Sequence, residues 1–437
     1  MNISNSQLSR RAFLGGGTVL AAFGALALAG CATPAAPGTG AGATAAAATK
    51  ANTINFYGNS LGEEALKSAW QGILDGFSKQ EGVKVAPVIY PYDQAATQLA
   101  LTGRSGNLMG VGQSGGWQVL TPMNVLADLT DLAKGLGIPQ GVLDSYTMDG
   151  KLLVLPLTAA GIGIITNGEI AKSVGIKSGM TVEQFATALE KIKKQDSSLI
   201  PYAAVTKNPD LKDAVPWMWG FGSDVVTDDL KCTLGDAESV KAVTWYKSLQ
   251  DAGLTQTNVA RSDARILFAS GRAALYDDAP LASTFVKTNG AAQDIIDNIG
   301  AISRPTAGGK DSFNRAWGSG VFATAGEGEL TSRDFILYAA TNVEAATALY
   351  ENSAVAPAAK SVADKIPALA ADKFQGAFRT EVSEHARGAA WDRVAVTAQI
   401  DAAIGAGVAT ILAGQVEAQA GLNALKKEVQ GLLDANS

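Results

Sequence analysis

Ser114 stands in the one segment of this chain that spells a nucleophile elbow. Gly112-Gln113-Ser114-Gly115-Gly116 reads G-x-S-x-G directly after a short apolar run, as acyl-transfer enzymes use to lift a serine above a sheet. Asp278 and His385 follow in the chain order of a serine–acid–histidine triad. Two features count against that chemistry. His385 is the sole histidine, and Ser383-Glu384-His385-Ala386-Arg387 reads as a polar helix face where a histidine is solvated. The histidine-containing oxyanion motif of lipases is also absent. The same stretch, Gly110-Val111-Gly112-Gln113-Ser114-Gly115, matches G-x-G-x-x-G, a weak dinucleotide signal by itself. Asp128 follows in Leu-Ala-Asp-Leu rather than at a strand end. No Walker motif is present, and one histidine with few cysteines excludes a structural zinc site. No cofactor is expected.

A second set of residues suits non-covalent recognition of a polyol. Asn59 and Ser60 follow the first strand, where amide and hydroxyl groups can bond hydroxyls; Ser60 also reads as a helix cap. Gln113 and Ser114 are followed by Trp117, whose ring could stack on an apolar sugar face or fill the core. Asp277-Asp278 ends a strand, and a carboxylate there could accept hydroxyls or sit in a solvated turn. Trp317-Gly318-Ser319-Gly320 combines an aromatic ring with small residues that let a ligand approach the backbone. Trp217 and Trp219 would share one face of a strand, so one of them could be core. Trp391 opens the long C-terminal helix, and Trp70 and Trp245 lie mid-helix as core residues.

The N-terminus bears on where these groups work. Ser9-Arg10-Arg11-Ala12-Phe13-Leu14 is a twin-arginine export motif, and Leu28-Ala29-Gly30-Cys31 fits a lipobox. Cleavage before Cys31 would make 1–30 a signal peptide and leave Cys31 acylated, anchoring the chain to a membrane. Residues 31–52, rich in Ala, Thr, Pro and Gly, read as a flexible tether. Cys232 then has no partner, so it is a small buried residue and apolar burial must hold the fold. The net charge of −6 becomes −8 once Arg10 and Arg11 are removed, and no basic block exists, so a nucleic-acid partner is not expected.

The elements that must position these residues alternate between strand and helix. Strands are expected at 53–57, 83–90, 108–111, 152–155, 161–166, 273–276, 300–303 and 320–323. Leu66, Trp70, Ile73, Leu74 and Phe77 recur at helical spacing behind a Ser60/Glu63 capping box. A helix is expected from Ala95 to Leu101. Thr181 with Gln184 and then Asp236 signal two more helix starts, and the chain is helical after about residue 330. The pattern predicts α/β lobes, the first with a largely parallel sheet. The length after residue 30 exceeds what one core supports, so two lobes are expected.

In order along 52–435, these elements resemble the extracellular solute-binding proteins that serve ABC importers, in particular those that bind sugars. Tyr92-Asp93 with Gln98-Leu99 fits the family's second helix, and Leu126-Ala127-Asp128-Leu129 resembles its L-x-D-L. Asp149-Gly150-Lys151-Leu152 through Leu155-Pro156 is similar to DGK-x-Y-x-x-P, with Leu153 in place of the usual Tyr. Thr166-Asn167 with Val174-Gly175-Ile176 resembles YNK…AGI, and Thr181-Val182-Glu183-Gln184-Phe185 resembles TWDEF. Phe268-Ala269-Ser270-Gly271-Arg272-Ala273-Ala274 fits F-x-x-G-K-A-A, and Gly414 with Ala424-Leu425 resembles the closing G…eeAL. The chain departs where Asn107-Leu108 stands for Pro-Asp and Ala279-Pro280-Leu281 for Gly-Pro-Trp.

The resemblance implies a periplasmic-binding-protein-like α/β fold, two lobes joined by crossing segments and closing on a ligand by hinge motion. The lobes would be 53–157 with 318–352 and 158–317 with 353–437, crossing near 156–160, 314–318 and 352–360. It implies a ligand site at Asn59, Gln113, Ser114, Trp117, Trp219, Asp278, Trp317, Gly318, Ser319 and Trp391, with Trp391 a stacking aromatic. The function implied is non-catalytic: a monomeric, lipid-anchored, extracytoplasmic carrier that delivers a mono- or oligosaccharide to an ABC permease. The alternative is an exported α/β-hydrolase-type esterase using Ser114 and His385.

Overall fold

β-Branched and aromatic residues between turn signals build two main sheets and a two-stranded hairpin in the computed structural model. It describes residues 47–435 apart from 92, 93 and 209, so the expected signal peptide, Cys31 and Tyr92-Asp93 lie outside the described residues. The strands run β1 (Thr53–Gly58), β2 (Lys84–Ile89), β3 (Gly110–Gln113), β4 (Thr147–Met148), β5 (Lys151–Leu152), β6 (Leu155–Pro156) and β7 (Ala160–Asn167). Then come β8 (Ile200–Ala203), β9 (Ala273–Asp278), β10 (Ile299–Ile302), β11 (Asn314–Trp317), β12 (Gly320–Ala323) and β13 (Ala386–Arg387).

The first sheet has the order β2-β1-β3-β12-β6. β1 is parallel to β2 and β3, whereas β12 is antiparallel to β3 and β6. Parallel neighbours require crossovers, supplied by the helices Glu64–Glu81 and Ala95–Arg104. Trp70, Ile73, Leu74 and Phe77 fall on one face of the first helix and are buried with Phe56 and Phe335. Phe56 and Trp70 meet at 4.9 Å and Phe77 meets Phe335 edge-on at 5.2 Å.

The second sheet is built around β7, all of it buried but its last residue. One edge of β7 pairs antiparallel with β9, and the other with β10 and β11. β8 then joins β9 and β13 joins β11, both parallel. The Thr181/Gln184 capping box forms on the helix Val182–Gln195, and Asp236 caps Ala237–Asp251 through the amide of Ser239. Phe185, Trp217, Trp391 and Ile404 belong to the main core of this lobe.

The chain passes between the lobes where β6 leads to β7 and where β11 leads to β12. Ser319 O accepts from the amides of Leu157 and Thr158 at 2.9 and 3.0 Å, and the hydroxyls of Thr158 and Ser319 are 3.0 Å apart. Residues 356–358 run beside them, with Ala358 N donating to Leu157 O at 2.9 Å. Val355 packs with the second lobe, Val362, Ile366 and Leu369 pack in the first core, and Phe374 and Phe378 pack in the second lobe again.

Several local expectations are corrected. Ser60 lies in a 3-10 turn, and the helix starts at Glu64 without a side-chain cap, because the Ser60 hydroxyl is held by Gln113. The expected 152–155 strand is split, with β5 in a hairpin with β4 and β6 in the main sheet. Trp217 and Trp219 lie on the helix Ala214–Phe221, not on a strand. Trp391 sits in the 3-10 turn Ala390–Arg393 that precedes the helix Thr397–Leu412. Among the described residues, no helix is long and apolar enough to cross a membrane.

Candidate functional site

A cleft of about 680 Å³ opens between the lobes. Its first-lobe wall comes from the carboxyl ends of β1 and β3, where open α/β sheets place ligands. Asn59, Gln113, Ser114 and Trp117 all line it, as do Gly318 and Ser319 from a crossing segment and Asp278 from the far wall. The side chain of Trp317 lies outside the described residues.

The roles of these groups follow from their bonds. Gln113 Oε1 accepts from the amides of Asn59 and Ser60 at 3.0 and 3.1 Å, and its Nε2 donates to Ser60 Oγ at 2.6 Å. It therefore ties the end of β1 to the end of β3. Ser114 N donates to Gly320 O at 2.9 Å, while its Oγ accepts from Gly320 N at 3.1 Å. Tyr146 also bonds Ser114; burial pushes that phenol up, and the serine contact partly offsets the shift. Trp117 is only 1 % exposed and packs with Leu120, Val154 and Phe322, so it offers no open stacking face. Trp219 and Trp391 are buried in the second core and absent from the cleft wall. Their indole nitrogens donate to Asp224 O at 3.3 Å and to Oδ1 of the cleft-lining Asp401 at 2.9 Å.

Asp278 turns out to act through another residue. Successive strand side chains face opposite ways, and the pair Asp277-Asp278 is divided accordingly. Asp277 points inward to the fully buried Arg304 at 2.7 Å. Asp278 is itself 0 % exposed and accepts both Nε and Nη2 of Arg265 at 2.8 Å, plus its neighbour's amide at 2.9 Å. The carboxylate is thus filled, and Arg265, stacked 3.7 Å over Phe285, is the group presented to the cleft. Removing Arg265 would strand a buried charge, at a cost of about 3–5 kcal/mol.

A charged second-lobe wall, absent from the sequence-based expectations, faces these groups. Arg261 and Arg265 lie i,i+4 on the helix Arg261–Ala269, so they share one face. Arg261 pairs with Asp213 and donates to Asp277 O at 3.2 Å. Lys212 holds Asp401 at 3.1 Å, and Arg315 pairs with both Asp392 and Asp401. Burial raises Asp401, but Arg315, Lys212 and the Trp391 bond outweigh it and leave the carboxyl below its ordinary value. Burial holds Asp392 above its ordinary value despite Arg315. An i,i+4 arginine pair just upstream of an Asp-Asp strand end was the legible signal for part of this wall; Arg315 and Asp401, far apart in sequence, had none.

The two enzyme-like patterns do not assemble. His385 is exposed and outside the cleft wall, Asp278 is committed to Arg265, and Ser114 Oγ to Gly320. In the G-x-G-x-x-G stretch Gly110 and Gly112 lie within β3 and Gly115 follows it, and the chain leads into a 3-10 turn, not the helix a dinucleotide phosphate needs. Among the described residues no cluster of His, Cys, Asp or Glu could hold a metal ion.

Comparison with known proteins agrees with this geometry. Curated binding proteins of Brucella abortus and Brucella suis are 25 % identical over 178 residues, 39 % of this chain and 42 % of theirs. The match thus spans less than half the length of those relatives. The sugar-binding protein MalE from Xanthomonas citri shares the fold, with a TM-score of 0.76 at 18 % identity, over 88 % of this chain and 98 % of that one. So does the GacH receptor of Streptomyces glaucescens, solved unliganded and with acarbose, with a TM-score of 0.70 at 21 % identity over 88 % and 99 %. Residues 72–377 match the family described as bacterial extracellular solute-binding protein, and the chain, with its two α/β lobes and the cleft between them, belongs to that family.

Proposed function

We propose that this chain is the solute-binding component of an ABC importer and that it captures a mono- or oligosaccharide. The observation that carries this reading is the interlobe cleft, whose wall of amides, hydroxyls and ion-paired guanidiniums comes from both lobes. Such groups match a polyol, and closure would desolvate it between them. The sugar-binding protein and the acarbose-complexed receptor that share this fold support the choice of solute. In this reading Asn59, Ser114, Gly318 and Ser319 meet the ligand from the first lobe and the hinge. Gln113 and Asp278 position their neighbours, and Arg265, Arg261 and Arg315 meet it from the second lobe. The lobes would divide at 157–159, 318–319 and 369–374. The carrier makes and breaks no bond, works as a monomer, and is held to the membrane by lipid on Cys31 after twin-arginine export. A Cys31→Ser protein should then leave the membrane fraction.

A thermal-shift screen of residues 32–437 against sugars, amino acids and polyamines tests the reading. A micromolar ligand at millimolar concentration should stabilise the closed form by about 4 kcal/mol. One sugar class raising the melting point is the expected result. Silence across the panel, with ester hydrolysis that disappears in Ser114→Ala, would establish the esterase instead.

A further inference from the structure

The corner Ala279-Pro280-Leu281 joins β9 to the helix Ala282–Thr288, and Ala279 and Leu281 line the cleft. That helix starts without a side-chain cap of its own. Its hold comes from a residue 95 positions further along the chain. Gln375 is 2 % exposed, and its Nε2 donates to Pro280 O at 3.0 Å and to Ser283 Oγ at 3.3 Å. Phe285, on the same short helix, carries the Arg265 guanidinium 3.7 Å above its ring. Asp278, the bidentate partner of Arg265, accepts from the Ala279 amide at the other end of the corner. One buried amide thus fixes the corner from behind, and with it the seat of a cleft-lining arginine.

The other side of Gln375 leads to the first lobe. It lies in the first turn of the helix Lys373–Glu381, which Asp372 caps by accepting from Gln375 N at 3.0 Å. The same carboxylate bonds the phenol of Tyr350, a residue of the first core. Leu369 also packs in that core, whereas Phe374 packs in the second lobe. Tyr350, Asp372, Gln375 and Pro280 therefore form one chain of hydrogen bonds from the first lobe to the cleft wall of the second. A rotation of the lobes about this segment turns the cap and carries Gln375 with it, because a buried donor is costly to leave unpaired. We propose that Gln375 is a positioning residue for solute binding, which sets the Pro280 corner, and through it Leu281 and Arg265, according to the placement of the lobes. This rests on the reading of the cleft as the solute site.

Hydrogen exchange and calorimetry on wild type, Gln375→Leu, Gln375→Glu and Tyr350→Phe test it. Leucine is of similar size and removes the donor. Without solute, the amides of 282–288 should exchange about tenfold faster in Gln375→Leu, while the helix Val182–Gln195 of the same lobe stays protected. Tyr350→Phe should also speed that exchange, and should add nothing in a Gln375→Leu background, whereas independent contacts would give additive effects. Glucose, maltose and maltotriose are the probes for binding. The affinity of whichever binds wild type should fall about tenfold in Gln375→Leu. In Gln375→Glu an ionised carboxylate cannot donate to the Pro280 carbonyl, but the protonated acid can. Its affinity should therefore recover towards wild type as falling pH protonates the buried carboxyl, which a merely structural glutamine would not produce. Unchanged exchange at 282–288 or unchanged affinity in Gln375→Leu, additive effects of the two substitutions, or a Gln375→Glu affinity that ignores pH would each overturn the proposal. Should Gln375→Leu fail to fold, Tyr350→Phe decides alone: faster exchange at 282–288 supports the inference and unchanged exchange overturns it. No binding of any sugar by wild type would overturn the carbohydrate reading, and the exchange results, which need no solute, would still decide this inference.

Discussion

Asp278 illustrates what a single residue can and cannot disclose. Its type and its place at a strand end mark it for the cleft, and it lies there. Its role is set by Arg265, which closes the carboxylate off and faces the cleft in its place. Trp117 and Trp391 differ in the same way: large apolar area favours burial unless a neighbour leaves a face open, and neither neighbourhood does. Buried phenols carry a prediction at this scale. Burial, followed by the charge and hydrogen bond of Asp372, pushes the Tyr350 phenol from its ordinary 10.0 up to about 12. The unfolded chain therefore ionises first. The stabilisation is complete below pH 10 and is lost as the pH rises towards 12. Urea denaturation across that range should show a shallower decline in Tyr350→Phe than in wild type.

Elements were more legible than single roles. Helical spacing from Trp70 to Phe77 and the caps at Thr181 and Asp236 are satisfied within a few residues of chain, so local sequence carries their signal. Ser60 failed as a cap because a more distant group, Gln113, holds its hydroxyl. Strand boundaries shifted for a similar reason: β5 and β6 end where their partners in different sheets end. The capping box offers a direct check. Thr181→Ala removes the acceptor for the Gln184 amide and should cost about 1 kcal/mol of stability. That would appear as a lower urea midpoint with an unchanged slope.

At the scale of the whole molecule, a solute-binding protein must bring its lobes together, and backbone approaches between them limit how closely. The helix Gln140–Asp144 of the first lobe meets β13 of the second sheet, with Gly388 N donating to Gly141 O at 3.0 Å. A Cβ on Gly141 would stand 2.0 Å from Ala386 O, so only glycine allows this contact. Gly141→Ala should wedge the lobes apart. The expected outcome is a larger radius of gyration by X-ray scattering and weaker solute binding, with helix content unchanged. Gln118 Nε2, donating to Asp392 O at 2.8 Å, is a second contact across the cleft and would be lost with it. As a member of an extracellular solute-binding family, the protein works outside the cytoplasm.

The α/β alternation, the helix faces and the caps at Thr181 and Asp236 are written in local residue order, because hydrophobic period and capping act over a few neighbouring residues. Local order also brought Asn59, Gln113, Ser114 and Gly318-Ser319 to the cleft, since strand ends and small-residue crossings mark that edge. The packing of Val362, Ile366 and Leu369 in the first core and the charged second-lobe wall arise from long-range contacts. Arg315, Asp392 and Asp401 meet through packing of segments far apart in the chain. Ion pairs of that kind depend on distance and burial in space, which spacing along the sequence does not encode.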